Sequence, residues 1–157
     1  MSCRIFIHGL ESSNQGTKAL FFRQNYPDML MPHFTGPLDE RMGKLEAVLS
    51  DRTSIVLVGS SFGGLMASIF ALEKEERVKK VILLAPAINL MAATPYGERK
   101  TAVPAWVYHG SQDEVIDIRE VQKAAERLFS NLRFHAVEDD HFLHKTFKTM
   151  PWDRLLS

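Results

Sequence analysis

Two rhythms of apolar residues alternate along this chain. Short aliphatic and β-branched runs at 4–7, 29–32, 54–58, 78–84, 105–109 and 132–137 have the length and content of strands buried on both faces. Between them, apolar residues recur at helical spacing over 17–25, 39–49, 62–74 and 118–129, and a shorter stretch at 143–148 reads the same way. Leu65, Met66, Ile69, Phe70 and Leu72 show that spacing most clearly. Strand followed by helix, repeated, predicts a parallel sheet with helices on both faces and right-handed crossovers. There is no internal repeat, linker or low-complexity segment, so residues 1–157 are expected to form one domain.

The run at 54–58 leads into Gly59-Ser60-Ser61-Phe62-Gly63, a G-x-S-x-G pentapeptide standing between a strand and a helix. In this setting the pattern predicts a sharp turn that holds the Ser61 hydroxyl out at its tip, with glycines where side chains would collide. A plain glycine-rich turn is the alternative, and partners further along decide between them. The expected chain order is serine, then an acid, then histidine, each after a different strand. Asp113 follows the strand at 105–109 and His141 follows the strand at 132–137. Asp117 is a second candidate acid, but it stands where the next helix begins and reads better as its N-terminal cap.

These residue types fit one chemistry. A serine hydroxyl is a weak nucleophile until an imidazole takes its proton, and a carboxylate on the other ring nitrogen fixes the tautomer and stabilises the imidazolium. Ser61, His141 and Asp113 take those parts. The developing oxyanion needs donors, expected from the backbone N–H of Phe62 and the backbone N–H of Leu10 in the His8-Gly9-Leu10 loop after the first strand. Gly9 and Ser60 flank these groups and are expected to face substrate. His8 is expected to support the loop rather than act as a base.

With Ile-His-Gly-Leu-Glu-Ser-Ser at 7–13, Val-Gly-Ser-Ser-Phe-Gly-Gly at 58–64 and Gly-Ser-Gln-Asp-Glu-Val-Ile-Asp at 110–117, the chain resembles the α/β-hydrolases, and within them the small, lid-poor esterases of the YqiA type. The resemblance implies a mostly parallel six-stranded sheet in the order 2-1-3-4-5-6 and a carboxylic ester hydrolase with Ser61, Asp113 and His141 as triad. It implies activity on short or activated acyl esters and no cofactor. One departure stands out: His141 follows two acids, Asp139 and Asp140, where the family commonly has Gly or Asn. Those acids can raise the imidazole pKa or offer it another carboxylate partner.

The stretch 85–104 interrupts the alternation with three prolines and leaves the sheet on the side where such folds bind ligands. It reads either as a minimal lid, with Ile88, Leu90 and Tyr96 lining an acyl pocket, or as a surface loop packed on the helices.

Composition narrows the function further. Nineteen basic residues balance nineteen acidic ones, which excludes non-specific binding to nucleic acid or to an anionic membrane surface. One cysteine, Cys3, allows no intrachain disulfide and favours a cytoplasmic setting. No apolar run has the length of a membrane span or the form of a secretory signal. His141 and His144 lack a second ligand pair at metal-binding spacing, so no metal is expected. The expected partner is a small-molecule ester or thioester. A thioesterase or acyltransferase would use the same triad, and a non-catalytic binding module on the same scaffold would leave Ser61 Oγ far from His141.

Overall fold

The computed structural model describes residues 2–157. Five strands, β1 (Cys3–Ile7), β2 (Ile55–Ser60), β3 (Val78–Leu84), β4 (Ala105–Gly110) and β5 (Leu132–Val137), form one parallel sheet in the order β1-β2-β3-β4-β5. Five helices accompany them: α1 (Thr17–Asn25), α2 (Leu38–Val48), α3 (Phe62–Glu73), α4 (Ile118–Leu128) and α5 (Trp152–Leu155).

The period-two alternation of the strands divides the core. Ile55 and Leu57 of β2 join Ile5, Ile7, Leu83 and Val107 beneath α2, α3 and α4, whereas Val56 and Val58 join Phe6, Ile82 and Leu84 against Phe22 of α1 and Trp152 of α5. Central α3 is apolar almost all round and correspondingly buried from Gly63 to Leu72. Outer α4 buries only Val121, Ala124, Ala125 and Leu128, one stripe at i, i+3, i+4 and i+7. Asp117 caps α4, its side chain accepting from the Arg119 N–H at 2.8 Å, as its position in the sequence suggests.

Two expectations need correction. The sixth strand, at 29–32, shrinks to a single bridge between Leu30 and Ile5 on the outer side of β1. Leu30 donates to the Arg4 carbonyl and accepts from the Phe6 N–H, but the next donor required by a parallel ladder would come from Pro32, which has none. The helix expected over 143–148 does not form. Leu143 sits at φ +53°, and the Asp139 carboxylate takes the N–H groups of Lys145 and Thr146, so only a short 3-10 turn at Phe147–Thr149 follows before α5.

Candidate active site

β2 ends at Ser60, and Ser61 turns the chain into α3 with φ 54° and ψ −117°. This is a left-handed conformation that costs a non-glycine residue on the order of 1–3 kcal/mol. The neighbourhood holds it in place: the Ser61 N–H donates to the Leu84 carbonyl, and the Ser61 carbonyl accepts from the Gly64 and Ala87 N–H groups. Gly63 is required because any Cβ there would overlap the carbonyl oxygens of Ile7 and His8 at the end of β1. The turn and the loop after β1 are thereby pressed together.

Two other strand ends bring the partners. Gly110 closes β4, and a Cβ on it would overlap the carbonyl oxygens of Asp139 and Asp140, so the Asp113 loop and the His141 loop lie in backbone contact. Ser111 and Gln112 donate to the carbonyls of Val137 and Asp139 across that contact. The result is a continuous chain. Ser61 Oγ lies 3.2 Å from His141 Nε2, and His141 Nδ1 lies 2.7 Å from Asp113 Oδ2. Because a carboxylate only accepts, Nδ1 carries the ring proton and Nε2 is free to accept from the serine hydroxyl. The Asp113 side chain is fully buried, and its other oxygen accepts the N–H groups of Val115 and Ile116, each at 2.8 Å.

The loop after β1 is fixed by buried His8. Its Nδ1–H donates to the Gly9 carbonyl at 2.8 Å, and its Nε2 accepts the Phe34 N–H at 2.9 Å. Burial lowers the His8 pKa below the ordinary histidine value, so the ring stays neutral. In a trans peptide the carbonyl and N–H point opposite ways, so pinning the Gly9 carbonyl also orients the Leu10 N–H. Among the described residues, neither the Leu10 nor the Phe62 N–H has a protein acceptor. Gly9 packs against Ser61, an added Cβ meeting the Ser61 Cβ at 3.3 Å and the Ser60 carbonyl oxygen at 3.4 Å.

A family model described as the alpha/beta hydrolase family matches residues 40–148. The chain belongs to the alpha/beta hydrolase family. Solved structures of similar fold include Est1E from Butyrivibrio proteoclasticus with ferulic acid bound, 16% identical at a TM-score of 0.77 over 94% of this chain and 84% of that one. Mouse alpha/beta hydrolase domain-containing protein 10 is 18% identical at a TM-score of 0.75, over 99% and 89% of the two chains. A Pyrococcus furiosus esterase is 18% identical at 0.72, over 99% and 79%. At these identities the likeness is one of fold. No curated protein sequence matches the chain.

The two acids before the hydrolase's His141 prove to be scaffolding. Asp139 is buried, and its carboxylate accepts the N–H groups of Asp140, Lys145 and Thr146, which hold its pKa below the usual carboxylate value against the opposing effect of burial. Asp140 turns to His144, 2.6 Å away, and that contact lowers its pKa. Neither carboxylate reaches His141, whose carboxylate partner is Asp113.

The expected pocket residues are dispersed. Ile88 is fully buried in the core, and Leu90 is half-exposed. Tyr96 stands with Glu73 at the far end of α3, about 18 Å along the helix axis from the turn at Ser61. It lines an open groove with Leu38, Met42 and Ile69 rather than the surroundings of the serine, so Tyr96 and Ile88 leave the site. The segment 85–104 packs its Ile88 and Met91 into the core and forms one 3-10 turn, Ile88–Ala93. Three exposed apolar side chains instead stand next to site residues in sequence: Leu10 after Gly9, Val115 two past Asp113, and Phe142 after His141. Neither Val115 nor Phe142 was an expected site residue, although an aromatic directly after the histidine is a signal in the sequence, and the Phe142 ring lies edge-on to His141 with centroids 5.4 Å apart. Among the described residues no cluster of His, Cys, Asp and Glu could hold a metal ion, and no helix is long and apolar enough to cross a membrane.

Proposed function

We propose that this hydrolase cleaves carboxylic esters through an acyl-enzyme intermediate. Ser61 Oγ attacks the carbonyl carbon while His141 Nε2 takes its proton, and Asp113 stabilises the resulting imidazolium. The oxyanion is received by the N–H groups of Phe62 and Leu10, which have no competing acceptor among the described residues. Collapse breaks the bond to the leaving alcohol, whose oxygen takes the proton from His141. Water then attacks the acyl carbon with His141 again as base, restoring the Ser61 hydroxyl and releasing the acid.

The observation that carries this reading is the unbroken contact from Ser61 Oγ through His141 to buried Asp113. A binding module on the same scaffold would have no use for a serine in a strained turn aimed at a correctly oriented imidazole. A thioesterase or acyltransferase would run on the same groups, and added acceptor alcohols distinguish transfer from hydrolysis. The substrates we assign are small or short-acyl esters whose apolar part rests against the exposed side chains of Leu10, Val115 and Phe142. Hydrolysis of p-nitrophenyl acetate by the wild type, abolished in Ser61→Ala, is the expected result. Equal turnover by the two proteins would reject the mechanism, and faster turnover of emulsified long-chain triglyceride than of the acetate would reject the substrate class.

A further inference from the structure

Asp113 has a second imidazole beside it. His109, on β4 one residue before Gly110, is fully buried, and its Nε2 lies 3.2 Å from the same Asp113 Oδ2 that His141 Nδ1 reaches at 2.7 Å. Nε2 is also 2.9 Å from the Ile116 carbonyl oxygen. That carbonyl can only accept, so Nε2 carries the proton and donates it to the carbonyl, with the carboxylate oxygen close beside the N–H. Nδ1 is buried with no partner among the described residues, so it holds a lone pair. A second proton there would be a buried donor with nothing to bond, which keeps the ring neutral.

We propose that His109 is a positioning residue that clamps the Asp113 loop as a neutral donor to the Ile116 carbonyl, its N–H dipole beside Asp113 Oδ2, fixing that oxygen toward His141 while leaving the carboxylate charge unspent. The proposal rests on the triad reading above. A buried carboxylate needs donors, and Asp113 takes them from two backbone N–H groups on one oxygen and from His141 on the other, with the N–H dipole of His109 3.2 Å from that second oxygen. Lysine or arginine in the place of His109 would supply a donor as well, but it would neutralise the charge that has to stabilise His141 when it becomes imidazolium. An imidazole held neutral by its surroundings donates without doing so. The ionisable groups bearing on His109 are Asp113 and Asp117 from the loop after β4 and His141 from the loop after β5. Burial is the largest influence on it and lowers its pKa, with the Ile116 contact and Asp113 acting in the opposite direction.

The test is the pH dependence of the rate at which a fluorophosphonate probe labels Ser61, in wild type, His109→Phe and His109→Gln. Phenylalanine fills the ring volume without a donor, and glutamine has its amide nitrogen the same number of bonds from Cα as Nε2. Losing the donor leaves the carboxylate holding a proton or an imidazolium more tightly. His109→Phe should therefore label at least about tenfold more slowly at neutral pH, with the acid limb moved up by about half a unit or more. His109→Gln should return both toward the wild type. A folded His109→Phe with the wild-type rate and profile overturns the proposal, as do equal losses in both variants with an unmoved acid limb, the signature of a merely structural role. Nitrogen-15 histidine spectra of the wild type test the point without a variant: His109 must be a neutral Nε2–H tautomer at neutral pH, and a protonated ring there overturns it. Failure of the wild type to label at Ser61 would reject the triad itself, a result distinct from the others.

Discussion

Replacing Asp113 by asparagine changes one oxygen to an amide nitrogen in a site that has no room for a donor. The carboxylate receives three N–H groups, from Val115 and Ile116 on Oδ1 and from His141 on Oδ2, and His109 Nε2 stands 3.2 Å from Oδ2. The Asn oxygen serves one side only. Turned to the two backbone N–H groups, it leaves the NH2 facing both imidazoles. His109 keeps the Ile116 carbonyl as acceptor, but His141 has no alternative and swaps tautomer, so that Nε2–H now points at Ser61 and the base is lost. Turned the other way, the amide opposes two backbone donors at once, each unsatisfied buried group costing about 1–3 kcal/mol. The tautomer swap predicts a fall in kcat of about 10^4-fold, equivalent to about 5 kcal/mol of transition-state stabilisation. The assay is p-nitrophenyl acetate turnover, with far-ultraviolet circular dichroism to establish that the variant is folded. A folded Asp113→Asn within tenfold of wild-type kcat would refute the reasoning.

Other outcomes follow from the same geometry. Gly110→Ala forces a methyl against the carbonyls of Asp139 and Asp140, so it should lower stability by about 1–3 kcal/mol in denaturant titration and slow Ser61 labelling more than that loss explains, because the His141 loop moves; unchanged melting and labelling would contradict the close contact. Burial lowers the pKa of both His8 and His109 below the ordinary value of 6.5, so over the window beneath 6.5 the unfolded chain binds more protons than the folded one. Stability should therefore be at its full value above that window and decline as pH falls through it, before the carboxylates with lowered pKa, Asp139 and Asp140, begin to protonate below 3.8; a denaturation midpoint flat from pH 7.5 to 5.5 would oppose this.

Much of the fold was legible because local chemistry and tertiary packing agree. β2 and α3 are apolar enough to be central, the sequence places the turn between them, and α4 carries both its cap and its stripe. Disagreement arose where a tertiary contact overrode the local pattern. Apolar 29–32 looked like a strand, but Pro32 withholds the donor that would extend it. Helical spacing over 143–148 was defeated by the buried Asp139 carboxylate, a competitor a few residues upstream for the same N–H groups. In the site, Ser61, Asp113 and His141 could be placed because each follows a strand end that a parallel sheet gathers on one side. Tyr96 could not, since nothing in its sequence separation says which end of α3 it meets. His109 escaped notice because it reads as a strand residue, although its place four residues before the acid, across a tight turn, is a spacing that brings the two side chains together.

The most direct test of the whole account is to treat the purified protein with a fluorophosphonate probe and locate the adduct by intact mass and peptide mapping, beside Ser61→Ala and His141→Ala. The structure leads us to expect one adduct per chain, on Ser61, absent from both variants. An adduct elsewhere, labelling that survives in His141→Ala, or none on the folded wild type would contradict an activated serine at the end of β2.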